Sequence, residues 1–329
     1  MSQLPSFVRI NEEGPREGFQ LEGAGIPTER KIELIDRLSE TGLGQIQLVS
    51  FVNPKRVPGM ADAADVVRRY RRAADVRYTA LWLNEQGFRR ALATQRIDLV
   101  GRIVLCASPT FLRRNQNMTP EENMASHRRM IATYQENGVP VEHGGLQAAF
   151  GCNFEGNIPV RHVLDTAKDV FRLAEEAGVR LKTFVLADTM AWANPRSVRN
   201  TVQAFQDTYP DVELILHLHD TRGLGVANAL AGLQAGVAQF DAAVAGLGGC
   251  PFAAHRGAAG NLCTEDFVFL CQEMGIDTGI NLDALIDAAS LAEDIVGHPL
   301  PGSVKQGGSL ARLRQAVANR VTEKIEEAR

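Results

Sequence analysis

The chain has 329 residues, of which 45% are apolar and 22% are charged, and its formal net charge is -4. This composition is typical of a folded protein and excludes a largely disordered chain. The acidic balance argues against nucleic acid as a partner, because phosphate binding requires a basic surface. No apolar run reaches the roughly 18 residues that cross a bilayer, so we expect no membrane partner either.

Short apolar runs alternate with longer amphipathic stretches along the chain. Eight of the short runs are predicted strands: Phe7–Asn11, Gln45–Phe51, Val76–Leu83, Leu99–Ala107, Val139–Ala148, Thr183–Ala187, Glu213–His219 and Gln239–Ala243. Helical patterns fall between them, among them Thr28–Glu40, Pro120–Glu136, Val160–Ala177 and Pro195–Tyr209, and several are followed by a glycine. Eight alternating strand and helix units predict an α/β fold, a (β/α)8 TIM barrel.

The main alternative is an open, doubly wound sheet, but no glycine-rich dinucleotide loop follows the first strand. Two more helical stretches, Leu282–Val296 and Ser309–Glu327, follow the predicted eighth helix at about Thr264–Met274. We therefore predict a catalytic barrel over residues 1–280 and a helical extension, packed on the barrel, over residues 281–329.

The five cysteines are scattered, with no CxxC pair and no disulfide framework. The amino-terminal segment also lacks the basic stretch and apolar run of a signal peptide. Both observations predict a reduced protein of the cytoplasm.

Polar residues follow several predicted strands, and in a barrel the carboxyl ends of the strands carry the functional groups. His217 and His219 end the seventh strand, where residues two apart face the same way. Two convergent imidazoles are a common start to a divalent metal site, although two buried histidines bonded to backbone would give the same pattern.

Three further clusters are weaker when each is considered alone. Arg16 and Glu17 follow the first strand, where an arginine can stabilise oxyanion charge and a carboxylate can join a metal, but such a pair is more often a surface ion pair. Cys250 lies in a glycine-rich loop, and its thiol could act as an acid or base or have no task. Gln47 in the second strand would ordinarily be a satisfied core residue.

Together these residues resemble the 3-hydroxy-3-methylglutaryl-CoA lyase family. The resemblance rests on an ordered set of motifs: Gly14–Gln20, Ser50–Lys55, Gly151–Gly156, Ala187–Thr189, His217–Thr221, Ala245–Pro251 and Gly260–Asp266. It implies a barrel that uses Mg²⁺ or Mn²⁺ to cleave a 3-hydroxyacyl-CoA, and it implies a homodimer or a larger homo-oligomer.

The resemblance also implies roles for individual residues. Metal-binding roles fall on Glu17, His217, His219 and Asn261. Catalytic roles fall on Arg16, Cys250 and His217. Substrate-binding roles fall on Gln20, Gln47, His143, Asp188 and Thr189.

This sequence departs from the family pattern at the site itself. Glu17 stands where the family has aspartate, Gln47 where it has a catalytic glutamate, and His143 near a family arginine. An amide cannot exchange a proton near neutral pH, so any acid–base role at position 47 is lost. These departures predict a substrate with a different group on C3. A related Claisen synthase or aldolase, and a non-catalytic metal-binding homologue, are the alternatives.

Overall fold

The structure is a computed structural model that describes residues 4–22, 24–249 and 260–327. Its strands are β1 Arg9–Glu12, β2 Gln45–Ser50, β3 Arg77–Leu81, β4 Gly101–Cys106, β5 Val141–Gln147, β6 Gly151–Cys152, β7 Gly156–Asn157, β8 Thr183–Ala187, β9 Glu213–His217 and β10 Gln239–Ala242. Its helices are α1 Gly14–Leu21, α2 Thr28–Leu38, α3 Ala63–Arg69, α4 Glu85–Leu92, α5 Pro109–Gln116, α6 Pro120–Glu136, α7 Val160–Glu176, α8 Pro195–Thr208, α9 Gly225–Gln234, α10 Thr264–Glu273, α11 Leu282–Val296, α12 Val304–Gly307 and α13 Leu310–Glu327. Short 3-10 turns form at Pro58–Met60 and Val244–Gly246.

Eight parallel strands form one curled sheet in the order β3, β2, β1, β10, β9, β8, β5, β4. The first strand pairs with the last, with Arg9 opposite Gln239, as a closed barrel requires. The amide of Asp98, just before β4, donates to the carbonyl of Tyr78 in β3 at 2.8 Å and links the two ends of this order. The predicted (β/α)8 barrel is therefore confirmed, and each of the eight predicted strands overlaps a strand of the sheet.

The helices form where local signals and apolar spacing agree. Thr119 and Asn194 close capping boxes at the starts of α6 and α8, and each is followed by a proline in the first turn. In α7, Val163, Ala167 and Val170 recur at helical spacing and are buried against the sheet. The barrel therefore has an apolar layer between helices and strands that holds the strand ends in fixed positions.

Two elements near the site were not among the predicted ones. Helix α1 follows β1 after a single residue and carries Pro15 in its first turn, where a missing N–H costs nothing. The short hairpin of β6 and β7 follows β5. Both lie among the motifs at the carboxyl ends of the strands.

The carboxy-terminal helices continue from the barrel without an intervening domain core. Leu285, Ile286 and Ala289 of α11 are buried in the same apolar cluster as the barrel helices. The predicted helical stretches thus correspond to α11 and α13, while the division at residue 280 remains a prediction. Within the described segments, no helix has the length and apolar character needed to cross a membrane.

Candidate metal centre

A cavity of about 310 Å³ opens at the carboxyl ends of the strands, and we call it the mouth cavity. Seven of the residues with predicted roles line it: Arg16, Glu17, Gln20, Gln47, Thr189, His217 and His219. Their side chains come from α1, β2, the segment after β8, and β9 with the residues that follow it, and these elements are distant in sequence. The barrel brings these predicted residues to one place.

Three predicted metal ligands converge at the base of the mouth cavity. The carboxylate of Glu17 and the ring nitrogens of His217 and His219 lie within 4.8 Å of one another. The Nε2 atoms of the two histidines are 3.6 and 3.8 Å from the Glu17 carboxylate oxygens. Asn261 adjoins them, since its Nδ2 donates to Glu17 Oε2 at 2.7 Å and to the carbonyl of Leu247 at 2.8 Å.

The opposite side of each imidazole is held by an acceptor. His217 Nδ1 lies 3.1 Å from Asp241 Oδ2, and His219 Nδ1 lies 2.8 Å from the carbonyl of Thr189. Since a carbonyl only accepts, Nδ1 of His219 carries the proton, and a carboxylate favours the same tautomer in His217. The Nε2 lone pairs then face the cluster, as they do in metal-binding histidines.

The donor atoms fit a divalent cation. Among the described residues, Nε2 of His219 and Oδ1 of Asn261 are buried without a hydrogen-bond partner, which is costly unless another group binds them. Two imidazole nitrogens, one carboxylate and one amide oxygen form a ligand set that suits a six-coordinate ion with positions left for substrate. Glu17, His217, His219 and Asn261 could therefore hold a metal.

The charges around the cluster favour a cation there. Burial alone would raise the pKa of Glu17, but Arg16, His217 and His219 hold it well below its usual value, so Glu17 is a carboxylate. Burial would lower the pKa of His217, but Glu17 and Asp241 raise it to about 9. The same negative field that stabilises a proton on this imidazole would stabilise a divalent ion beside it.

Arg16 is fixed next to the metal ligands by three acceptors. Its Nη1 lies 2.6 Å from Glu17 Oε1 and its Nη2 lies 2.6 Å from Glu13 Oε2. Its Nε donates to Oε1 of Gln47. The guanidinium is thus oriented before any substrate binds, and Gln47 has a defined partner in the site.

Among the other predicted substrate-binding residues, Gln20 and Thr189 line the mouth cavity and Asp188 is buried behind it. Gln20 lines the mouth cavity and accepts a hydrogen bond from Ser50 Oγ at 3.0 Å. Thr189 also lines it, and its Oγ1 accepts from the amide of Ala148 at 2.9 Å. Asp188 is fully buried and accepts from the amides of Trp192 and Ala193 at 2.7 and 3.0 Å, so it shapes the loop after β8.

His143 lies elsewhere. It lines a second cavity inside the barrel, where its Nδ1 is hydrogen-bonded to Thr183 Oγ1. It is not among the residues of the mouth cavity, so its predicted contact with substrate would have to occur from inside the barrel. A substrate-binding role for His143 remains a prediction.

The glycine-rich loop after β10 packs directly on two of the ligands. Gly248 has φ +85, and a Cβ there would lie 2.6 Å from both Asn261 Nδ2 and Glu17 Cβ. Only glycine allows this backbone to approach so closely. The next part of the loop, with Cys250, His255 and Arg256, lies outside the described residues, so the predicted role of Cys250 remains a prediction.

Two cavity-lining carboxylates were missed by sequence reasoning. Glu13 is buried against Arg16, and Asp241 in β10 orients His217. Asp241 lies directly opposite His217 in the register between β10 and β9. The predicted seventh and eighth strands contained His217 and Asp241, and aligning the carboxyl ends of those two strands would have indicated this pair.

Comparisons with known proteins agree with the fold and identify the family. The HMGL-like family matches residues 8–292. The chain is 37% identical to mouse cytoplasmic 3-hydroxy-3-methylglutaryl-CoA lyase over 310 residues, which cover 94% of this chain and 87% of the relative. It is 36% identical to the hydroxymethylglutaryl-CoA lyase of Bacillus subtilis strain 168 over 297 residues, covering 90% of this chain and 96% of the relative.

Solved structures of lyases superpose on the whole barrel. The HMG-CoA lyase of Bacillus subtilis matches with a TM-score of 0.85 and 35% identity, covering 93% of this chain and 99% of that one. The HMG-CoA lyase of Acinetobacter baumannii, solved with coenzyme A and 3-methylmalate, matches with a TM-score of 0.83 and 37% identity, covering 94% and 97%.

The barrel, with a candidate metal centre at the carboxyl ends of its strands, therefore defines an enzyme of the carbon–carbon lyase class. Within that class, the chain belongs to the HMGL-like family. The predicted resemblance is confirmed.

Proposed function

We propose that this protein is a metal-dependent lyase that cleaves a 3-hydroxy-3-substituted acyl-CoA into an acyl-CoA, such as acetyl-CoA, and a keto compound. The observation that carries the proposal is the convergence of Glu17, His217, His219 and Asn261 beside the fixed guanidinium of Arg16. The names of the lyase relatives, and the coenzyme A bound to one of them, support an acyl-CoA substrate.

A bound Mg²⁺ or Mn²⁺ would act as a Lewis acid on the substrate oxygens. Arg16 adds a second source of positive charge. A guanidinium has five N–H donors and three of them are engaged, by Gln47, Glu13 and Glu17, so two remain for substrate oxygens. Because these donors are already oriented, they can stabilise negative charge as it develops on the reacting oxygen.

The reaction needs an acceptor for the proton of the tertiary hydroxyl. Gln47 cannot accept it, because an amide does not titrate near neutrality. Glu13 is a carboxylate on the cavity wall held by the same guanidinium, and burial raises its pKa above the usual value. We assign the acceptor role to Glu13, within reach of a substrate bound by Arg16.

Carbon–carbon cleavage follows once the hydroxyl proton has been removed. As the hydroxyl loses its proton, its oxygen forms the new carbonyl and the C2–C3 bond breaks, with its electron pair moving into the enolate of the departing thioester. Protonation at C2 releases the acyl-CoA, and we assign that proton to Cys250. Arg16 orients the reacting oxygen while the bond breaks, and Glu17, His217, His219 and Asn261 would hold the metal beside it.

The departures at Glu17, Gln47 and His143 lead us to infer a C3 group other than that of 3-hydroxy-3-methylglutaryl-CoA. The mouse relative is named as cytoplasmic, and we infer the same compartment here, with a homodimer or larger homo-oligomer as the assembled state. A Claisen synthase would run the chemistry in the opposite direction and consume an acyl-CoA, while a non-catalytic homologue would bind metal and do neither.

The test is a screen of 3-hydroxyacyl-CoA thioesters with Mg²⁺ or Mn²⁺, with products followed by mass. We expect one acyl-CoA released for each keto compound, with release stopped by a chelator and restored by metal. Thioesters that all remain intact with metal present would contradict the proposal. Consumption of acetyl-CoA with a 2-oxo acid would identify a synthase instead.

A further inference from the structure

A second cavity of about 700 Å³ lies inside the barrel, and we call it the lumen cavity. Barrel interiors are normally filled by layers of strand side chains. Here Gln47, Trp82, Arg102 and Val104 line both the lumen cavity and the mouth cavity. The two cavities therefore adjoin each other along these four side chains.

Most charged groups around the lumen cavity have a partner of opposite charge or a hydrogen-bonded neighbour. The pairs are Arg9 with Glu213, Lys182 with Glu142, Asp98 with Arg72, Glu13 with Arg16, and Asp241 with His217 and Asn11. Two guanidiniums differ. Across the described residues, neither Arg77 nor Arg102 forms an ion pair or a side-chain hydrogen bond, and Arg102 lies over the ring of Trp82 at 5.8 Å.

Both guanidiniums line the lumen cavity, and their charges act on His143. Arg102 lies opposite His143 in the register of β4 and β5. Burial, followed by the charges of Arg102 and Arg77, lowers the pKa of His143 to about 4, so this imidazole is neutral and adds no charge. An arginine inside a protein is stabilised by an anion, and a planar carboxylate matches the guanidinium best.

We propose that Arg102 binds a carboxylate at the end of the substrate's C3 branch, with Arg77 deeper in the lumen cavity for longer branches. This inference rests on the proposed function. Arg102 is the second residue of β4 and lies opposite His143, which does not line the mouth cavity, whereas His217 is the last residue of β9. A group that binds Arg102 is therefore set off from the reacting carbon. The branch is therefore longer than the carboxymethyl group of 3-hydroxy-3-methylglutaryl-CoA.

The walls between the two sites suit such a branch. Val104 and Val185 line both cavities, and Ala80 lines the lumen cavity beyond them. Apolar walls accept methylene groups, and the guanidinium accepts the charged end. The substrate class is then a 3-hydroxyacyl-CoA with an aliphatic, acid-terminated branch on C3.

The experiment compares four thioesters on the metal-loaded enzyme. 3-Hydroxy-3-methylbutyryl-CoA has a neutral branch, and the 3-hydroxy-3-methyl derivatives of glutaryl-, adipyl- and pimelyl-CoA have acidic branches of increasing length. We expect kcat/KM to be highest for the adipyl or pimelyl compound. In Arg102→Gln, the preference for that compound over the neutral one should fall by about 10- to 100-fold, the range for a hydrogen bond to a charged group. The exposed Arg199→Gln variant is the matched control and should keep the wild-type preference.

A binding measurement separates this inference from the proposed function. Calorimetric titration of the metal-loaded protein with free adipate and pimelate needs no turnover. We expect binding to wild type that weakens by about 10-fold or more in Arg102→Gln and recovers in part in Arg102→Lys. Equal binding to wild type and Arg102→Gln, or an unchanged branch preference, would overturn the role of Arg102 even if the enzyme is a lyase. Dicarboxylate binding that depends on Arg102, without cleavage of any thioester, would support the anion site and contradict the proposed function.

Discussion

The barrel holds two polar clusters that differ in their hydrogen-bond partners and in whether they adjoin a cavity. The mouth cluster is Glu17, His217, His219 and Asn261. The second, which we call the anchor cluster, is Glu12, Cys263, Thr264, Glu265 and Asp266, at the start of α10. Cys263, Glu265 and Asp266 also place ligand-type atoms within 4.8 Å of one another, so proximity alone does not distinguish the clusters.

In the anchor cluster, the carboxylates bind backbone. Glu12 accepts from the amides of Gly14 and Val244 at 2.7 and 2.9 Å and from Thr264 Oγ1 at 2.6 Å. Glu265 Oε2 accepts from the amide of Ala245 at 2.9 Å. Its Oε1 is buried without a hydrogen-bond partner in the described structure, but it lies against the backbone of Gly302, where a Cβ would come within 2.3 Å of it, and it lines neither the mouth cavity nor the lumen cavity.

In the mouth cluster, His219 Nε2 and Asn261 Oδ1 lack partners in the described structure, beside a cavity that can admit a ligand. The comparison teaches that buried atoms without a partner mark a functional cluster only where they adjoin a cavity, while carboxylates that accept from backbone amides away from both cavities mark the structural cluster. Changes in the mouth cluster should therefore alter metal binding and turnover, and changes in the anchor cluster should alter stability.

The largest effect is expected for His219→Ala. Losing an orienting partner of a metal ligand commonly costs 10- to 100-fold in affinity, so losing the ligand itself should weaken Mn²⁺ binding by more than about 100-fold. Stability of the metal-free protein should fall far less than metal affinity, because removal of the unpartnered Nε2 offsets part of the loss of the hydrogen bond to the Thr189 carbonyl. Calorimetry with Mn²⁺ and melting in chelator measure both quantities, with His143→Ala as the control. Undiminished Mn²⁺ affinity would remove His219 from the site.

Arg16→Met should lower kcat by about 100-fold or more with the fold intact, because it removes oriented donors that stabilise the developing charge. Single-turnover rates at saturating Mn²⁺ isolate this effect from metal binding. The exposed Arg199→Met provides a control for loss of a surface arginine. Turnover near that of wild type would show that Arg16 is only part of the scaffold.

Glu13→Gln should lower kcat by about 100-fold, since it removes the assigned proton acceptor. Gln47 and Glu13 contact the same guanidinium, so Gln47→Glu places a carboxylate on its other side. The double variant Glu13→Gln with Gln47→Glu should recover part of the rate that Glu13→Gln loses. The single variant Gln47→Glu should raise the rate of 3-hydroxy-3-methylglutaryl-CoA cleavage without changing Mn²⁺ affinity. A double variant no faster than Glu13→Gln would contradict an interchangeable acceptor.

The smallest effect is expected in the anchor cluster. Glu12→Gln keeps an oxygen for both amides but disturbs the bond from Thr264, so it should cost about 1 kcal/mol of unfolding free energy and leave Mn²⁺ affinity unchanged. Burial raises the pKa of Glu12 to about 8 from 4.5, so its stabilising contribution is fully present below about 4.5 and is lost as pH rises through about 8.

Wild type should therefore lose stability between about pH 4.5 and pH 8, and Glu12→Gln should lose less. Denaturant unfolding across that range measures the difference. A loss of Mn²⁺ affinity in Glu12→Gln would mean that the two clusters are not separate in function.

The sequence predicted the barrel because strand and helix periodicities are local. It also predicted His217 and His219 as a pair, since alternation along one strand places them on the same side. Helix α1 was missed because Gly14 and Gly18 are poor helix formers. The structure requires glycine at position 14, since a Cβ there would come within 2.5 Å of Glu12 Oε1.

Pairings between distant strands were harder to predict. The register of β10 on β9 places Asp241 opposite His217, and the register of β5 on β8 places His143 opposite Thr183, away from the mouth cavity. Neither register follows from the pattern within one strand. The first could have been found by aligning the carboxyl ends of the predicted strands, but the second depends on how the whole sheet curls. The same limit hid the unpaired guanidiniums of Arg77 and Arg102, which become recognisable only once their neighbours are known.

The central claim, that the mouth cluster supports cleavage of a C2–C3 bond, is tested most directly by isotope transfer from solvent. The Mn²⁺-loaded protein is given the best-cleaved thioester in D₂O, and the released acyl-CoA is weighed by mass spectrometry. The account predicts one deuterium on C2 of each acyl-CoA formed, with none released by His219→Ala. Free CoA and an intact hydroxy acid, produced without any deuterated acyl-CoA, would show thioester hydrolysis and contradict the account.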